Sequence, residues 1–173
     1  MIAWCLAAGS QAPDTFARSA DKEVTKWLWD CKGWRETLSQ ALSKKGPGAA
    51  GEVDLALGSS AVASSIKGAD REAWLAVDGQ ADTRWTSLYE DNQWLAIDLG
   101  KECLITRVEI RWGITCAAYY SLEGSLDNYT WSMIGEAAGH EGWVMTKAKR
   151  NRVARWVRMF GHKRATQYGF SIW

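Results

Sequence analysis

The sequence predicts an all-β fold preceded by one helix, and three observations carry that prediction. Leu104, Thr106, Val108, Ile110 and Trp112 alternate with Ile105, Arg107, Glu109 and Arg111, the period-two pattern of a strand with one core face and one wetter face. From about Val53 onward, short apolar segments recur with turn residues between them, as a β-sandwich or barrel requires. Helical spacing occurs in one stretch, residues 19–45, and stops at Gly46-Pro47-Gly48.

In chain order, residues 1–18 are small and irregular and predict no element. Residues 19–46 predict an amphipathic helix with its linker. Ser19 caps it, and Asp21 and Glu23 sit in the first turn, where negative charge favours the helix dipole. Val24, Trp27, Leu28, Cys31, Trp34, Leu38, Ala41 and Leu42 make one apolar stripe, with Lys26, Asp30, Arg35, Glu36 and Gln40 outward. Residues 52–173 predict the sandwich. Trp94–Leu99 is a strand stopped by Gly100. Further strands are predicted at Ala118–Gly124, Trp131–Glu136, Trp143–Lys147, Val153–Phe160 and Gly169–Trp173.

Composition removes several function classes. Apolar residues make up 47% and charged residues 24%, a globular balance. The net charge of +1 offers no field to steer nucleic acid or an anionic membrane toward the whole molecule. No run approaches the ~20 apolar residues of a transmembrane helix. Cys5, Cys31, Cys103 and Cys116 fit neither a zinc spacing nor a CxxC motif, so free thiols are expected. With His140 and His162 as its only histidines, and without a GxSxG elbow or a phosphate-binding glycine loop, the chain predicts no catalyst. Lys147, Lys149, Arg150, Arg152, Arg155 and Arg158 form a basic cluster between two predicted strands, which reads either as a solvated hairpin or as a surface for a polyanion such as a sulfated glycan or phosphate.

The most informative run is Ala76-Val77-Asp78-Gly79-Gln80-Ala81-Asp82-Thr83-Arg84-Trp85. Two carboxylates and a hydroxyl lie close together around a turn-permitting glycine, and hard cations take such oxygens. It is followed in order by Gln93–Gly100, Val108–Trp112, Gly124–Trp131, Ala154–Gly161 and Arg164–Trp173. As a set, over residues 53–173, these segments resemble the discoidin family, the coagulation factor 5/8 type C domains, closest in flavour to family 32 carbohydrate-binding modules.

The resemblance implies a galactose-binding-like jelly roll of two antiparallel sheets. It implies a structural calcium held by Asp78, Thr83, the carbonyls of Leu75 and Gln80, and the carbonyl of Trp173. Such domains usually continue past this Trp into a last strand whose first residue is an acidic metal ligand; the sequence ends at Trp173. It places sugar recognition in loops at one end, where Trp74, Tyr89, Asp91, Asn92, His162 and Arg164 are the candidates, with Glu90 and Tyr119 beside them. Gly113 stands where galactose binders carry a Glu. Trp85, Trp94, Trp112, Trp131 and Trp156 match core positions. The function expected is a non-catalytic module that binds carbohydrate. The alternative is a scaffolding subunit of a larger assembly, docked through Trp27, Leu28, Trp34 and Leu38. The helix could also cover the sheet edge beside Trp173. The first reading goes with an extracellular setting, the second with an organellar or intracellular one.

Overall fold

The computed structural model describes residues 2–6 and 52–173, with side chains from residue 54 onward apart from residue 151. The predicted helix, with Trp27, Leu28, Trp34 and Leu38, lies outside the described residues, as does Cys31. The chain divides into two compact units, Met1–Leu6 with Asp54–Trp173, and Ala7–Val53. The first holds an all-β fold: β1 (Ile2–Leu6), β3 (Ser60–Ala63), β4 (Trp85–Thr86), β5 (Gln93–Trp112), β6 (Ala117–Ser125), β7 (Ser132–Ala137), β8 (Gly142–Arg164) and β9 (Ser171–Ile172), with β2 (Glu52–Asp54) at its boundary. One 3-10 turn, Ala73–Ala76, is the exception.

The pairings are antiparallel, and the central order is β1-β5-β8-β6-β7. β3 pairs with the first half of β5, and β9 pairs with β4 and with Trp112 at the end of β5. The resemblance implied two separate sheets. Here the ladder is continuous, because β5 and β8 are long enough to serve both halves and cross between them through bulges.

Those bulges correct the sequence reading in two places. Gly100 does not stop a strand. It adopts φ +73°, which a residue without Cβ takes at little cost, and β5 runs on through it. The second irregularity lies between Ile105 and Arg107. Before it, Cys103 and Ile105 face the core; after it, Val108, Ile110 and Trp112 do. Against β1, the two-residue step from Ile105 to Arg107 faces the single step from Cys5 to Trp4, and this extra residue on β5 shifts the parity, so Ile105 is buried rather than on the wetter face and Leu104 is only half-buried. Likewise the two strands predicted at Trp143–Lys147 and Val153–Phe160 are one strand, β8.

Residues 2–6, read as irregular, form β1. It pairs from Ile2 opposite Glu109 to Cys5 opposite Ile105, occupying the β5 edge next to the point where β9 leaves it at Trp112. The edge expected to be covered by the helix thus carries this strand. A run as short as Ile-Ala-Trp-Cys-Leu takes its structure from the edge it finds, which local sequence does not display.

The core is mainly aliphatic. Leu95, Ile97, Ile105, Ile110, Leu122, Ile134, Met159 and Ile172 are fully buried, with Trp85, Trp112, Tyr120 and Phe170. Each such side chain contributes roughly 1.5–3 kcal/mol of hydrophobic burial. Trp112 packs on Tyr120 at 5.3 Å and on Phe170 at 6.3 Å between ring centroids. Of the five tryptophans expected in the core, Trp85 and Trp112 are there. Trp94 and Trp156 are half-buried, because their neighbours Leu95 and Val157 take the inward positions, and Trp131, just before β7, is half-buried with the Arg158 guanidinium 4.0 Å from its ring. Cys103 and Cys116 are buried.

Candidate functional site

At one end of the sandwich, loops gather around a cavity of about 540 Å³ lined by Lys67, Asp70, Arg71, Arg84, Thr86, Tyr89, Ile114, Thr115, Tyr168, Gly169, Ser171 and Trp173. Its position follows from three local features. Gly169 threads so close to the carbonyls of Ser87 and Leu88 that a Cβ there would collide with backbone. The same junction is closed by Ser87, whose N–H donates to the Phe170 carbonyl and whose hydroxyl accepts from the Phe170 N–H at 2.9 Å. Gly113 leaves room for the Trp173 indole, whose Cζ3 would lie 2.5 Å from a Cβ at that position. The residue that departs from the galactose-binder pattern is therefore the one that admits an aromatic ring to the cavity wall.

Aromatic and hydroxyl groups supply the lining. Tyr89 and Tyr168 meet edge to face, with centroids 5.4 Å apart. Both are nearly half exposed, at 44% and 47%. The Ser171 hydroxyl accepts a bond from Thr115 Oγ1 at 2.8 Å and lies 3.2 Å from Thr86 Oγ1, which makes a row of three hydroxyls.

Cations dominate the charge. The Lys67 ammonium sits 3.3 Å from the Tyr89 ring centroid, and the Arg84 guanidinium 4.8 Å from the Trp173 ring. Arg111 approaches the same indole at 5.9 Å. Asp70 is the one acidic side chain of the lining, and Arg71 takes it at 2.7 Å. Burial first, and then the charge of Arg71, push the Arg84 guanidinium below its ordinary pKa, with Asp70 pulling the other way. It remains charged at neutral pH.

The sequence-predicted ligand residues are spread over three places. Tyr89 lines the cavity. Asp91 and Arg164 instead clamp the loops that carry it. Asp91 Oδ1 accepts the Arg164 N–H and Nε–H, both at 3.0 Å, and Oδ2 accepts Lys163 Nζ at 3.1 Å. The backbone N–H of Arg164, then its side chain, draw the Asp91 carboxyl down to about 2. Arg164 Nη1 donates onward to the carbonyls of Tyr89 and Gln167. Asn92 forms the adjacent left-handed turn position at φ +59°, a conformation Asn tolerates, and Glu90 is exposed in the same loop.

His162 lies on the outer face of β8, with Nε2 3.0 Å from Ser121 Oγ and its ring stacked on Tyr119 at 5.0 Å. Trp74 stands exposed on the 3-10 turn, its indole N–H donating to Glu72 at 2.6 Å. Sequence reading missed Lys67, Arg71, Arg84, Thr115 and Tyr168, which come together only through tertiary pairing. The Tyr168-Gly169 pair beside the last strand was the one local signal.

The acid-rich turn is closed on itself. Asp78 Oδ1 accepts the Gln80 N–H at 2.9 Å, and Oδ2 accepts the Thr83 hydroxyl at 2.7 Å. Leu75 is buried in the preceding 3-10 turn. Trp173 approaches the far end of the turn through Arg84, and its N–H donates to the Arg111 carbonyl. These oxygens are the hard donors calcium takes, but Asp78 is their one carboxylate, and among the described residues no group of three or more His, Cys, Asp or Glu gathers anywhere.

The basic cluster is not a hairpin patch. On β8, Lys149 pairs with Glu136 at 2.7 Å, Arg155 with both oxygens of Asp98 at 2.8 Å, and Arg158 with Glu123. Arg152 donates to the Met133 carbonyl.

Comparison with known proteins matches residues 60–173 to the F5/8 type C domain. Chitosan-binding module 1 of a chitosanase/glucanase from Paenibacillus sp. IK-5 is 36% identical, with TM-score 0.65, over 69% of this chain and 93% of that one. Module 2 of the same enzyme, solved with chitotriose, is 35% identical, with TM-score 0.66, over 69% and 95%. The family 32 module of C. perfringens NanJ, solved with galactose, shares the fold at 20% identity and TM-score 0.57, over 65% and 88%. No curated protein matches the chain. With the family matched across most of its length, the chain belongs to the F5/8 type C domain family.

Proposed function

We propose that the chain is a non-catalytic carbohydrate-binding module and that the cavity between the Tyr89 and Tyr168 loops receives a sugar. The observation that carries this is the combination of two half-exposed aromatic rings with the Thr86-Ser171-Thr115 hydroxyl row, at the end of a fold shared with two chitosan-binding modules. An aromatic face takes the C–H side of a pyranose, and hydroxyls exchange bonds with its rim. The volume of about 540 Å³ accommodates one or two sugar rings. Asp91 and Arg164 hold the loops, and so act on affinity through the position of Tyr89.

At the Asp78 turn we propose low-affinity calcium, held by the Asp78 carboxylate, the Thr83 hydroxyl and the carbonyls of Leu75, Gln80 and Trp173. The ion would stiffen the turn without entering the sugar site. The scaffold reading rests on Trp27, Leu28, Trp34 and Leu38, outside the described residues.

The test is titration calorimetry against a panel of oligosaccharides, with Tyr168→Ala and Tyr89→Ala beside the parent protein. Each substitution is expected to weaken binding about tenfold, the order of one aromatic contact. Binding that survives both changes unaltered places the sugar elsewhere and sinks this assignment.

A further inference from the structure

The carbohydrate reading leaves open which class of sugar the cavity takes, and the charge of its wall bears on that. Lys67, Arg71 and Arg84 face a single carboxylate, Asp70, which Arg71 already holds at 2.7 Å. Neither Lys67 nor Arg84 makes an ion pair among the described residues. Their cationic groups rest on aromatic faces, at 3.3 Å over Tyr89 and 4.8 Å over Trp173. A ring quadrupole holds a cation in place without neutralising it. The contrast with β8 is internal to the molecule. There, Lys149, Arg155 and Arg158 each have a carboxylate partner from a neighbouring strand.

Building on the carbohydrate reading, we propose that the cavity selects an anionic saccharide, one bearing a carboxylate or sulfate ester, over neutral or cationic ones. The anion would lie between Lys67 and Arg84, with the sugar ring against Tyr89 and Tyr168 and its hydroxyls toward Thr86, Thr115 and Ser171. Arg84 offers a planar fork suited to either oxyanion, and Lys67 a movable point charge. Chitosan is a poor partner for this wall despite the likeness to chitosan-binding modules. Its protonated amines would meet three cations and gain one carboxylate that is already engaged.

The experiment measures binding of four trisaccharides to the full chain by calorimetry at low and raised salt: trigalacturonate, a sulfated trisaccharide, a neutral galactose trimer and chitotriose. Trigalacturonate or the sulfated sugar is expected to bind at least about tenfold tighter than the other two, and the preference should shrink as salt rises. The two acidic arms separate carboxylate from sulfate recognition. Arg84→Gln should lower acidic-sugar affinity about tenfold, while Arg84→Lys recovers part of it; Lys67→Gln, on an exposed side chain, should give a loss in the same direction without disturbing the fold, checked by thermal melting. Tightest binding of chitotriose or of the neutral trimer overturns the anionic preference and leaves the carbohydrate reading standing. Binding of none of the four overturns both.

Discussion

Two cation-rich regions of this chain differ in how their charge is met. The β8 stripe carries Lys149, Arg155 and Arg158, and the loop cavity carries Lys67, Arg71 and Arg84. On the stripe, each of these three cations meets an acid from another strand. Glu123 on β6 lies directly opposite Arg158 in the ladder, Asp98 on β5 is paired with Trp156, next to Arg155, and Glu136 reaches Lys149 from β7, beyond β6. In the cavity, the cations come from loops, and the groups opposite them are mostly aromatic rings and hydroxyls. Density of Lys and Arg along a sequence is thus a poor guide to where positive potential survives. Three of the six cations in the dense run, residues 147–158, are met by carboxylates, against one of three in the dispersed set.

The two regions are also held differently, and this gives the largest expected effect. The stripe rests on the continuous β5-β8-β6 ladder. The cavity depends on the close backbone approach at Gly169. Gly169→Ala would drive a methyl group into the Ser87 and Leu88 carbonyls. It should cost about 3 kcal/mol, the upper end of overpacking penalties, and displace Tyr168 from Tyr89. Urea unfolding reads the first consequence and oligosaccharide affinity the second. A variant as stable as the parent would show that the loop relaxes and that the contrast in rigidity is false.

Charge on the stripe gives a smaller effect. Glu123 Oε2 accepts from Arg158 Nε and Nη2, and both side chains are under one-fifth exposed, while the Arg158 guanidinium also lies 4.0 Å from the Trp131 ring. A double-mutant cycle of Arg158→Ala and Glu123→Ala should give a coupling of about 1 kcal/mol in stability, with no change in sugar affinity. The corresponding single change at Arg84 should do the reverse, leaving stability nearly intact and lowering affinity. Equal effects of the two arginines on binding would erase the distinction drawn between the regions.

How much of this was legible in the sequence depends on the range of the interactions. The all-β class showed in the alternation of residues 104–112, and the family in six ordered segments, because both are written in local pattern. Strand parity was read correctly from Val108 to Trp112 and wrongly at Leu104 and Ile105, since the bulge between these two stretches leaves no fixed residue signature and switches the inward face. Trp94, Trp131 and Trp156 were placed in the core by family position alone, and the structure leaves them half-buried. The cavity wall was the least readable part: Lys67 and Tyr89 meet across 22 positions, and Arg84 and Trp173 across 89. Gly113 was visible as a departure from a family pattern. Its role in admitting the Trp173 ring needed the third dimension.

The smallest expected effect concerns the Asp78 turn, which also bears on the comparison because it ends at Arg84. Each oxygen of its carboxylate accepts one bond, from the Gln80 N–H and the Thr83 hydroxyl, so the turn holds its shape through its own hydrogen bonds while keeping lone pairs for a cation. With a single carboxylate, affinity should fall in the millimolar range of weak extracellular sites. At about 2 mM calcium and a Kd of about 1 mM, linkage gives about 0.6 kcal/mol of added stability. Thermal melting in calcium and in chelator should therefore differ by only a few degrees, and Asp78→Asn should abolish the difference. That variant keeps an oxygen for the Gln80 N–H, but its amide cannot accept from the Thr83 hydroxyl as Oδ2 does. A modest loss of stability is therefore expected even in chelator, on the order of 1 kcal/mol. A large calcium shift would mean that further charged ligands join the turn, and it would tie the stiffness of the Arg84 wall to the ion rather than to the protein's own bonds.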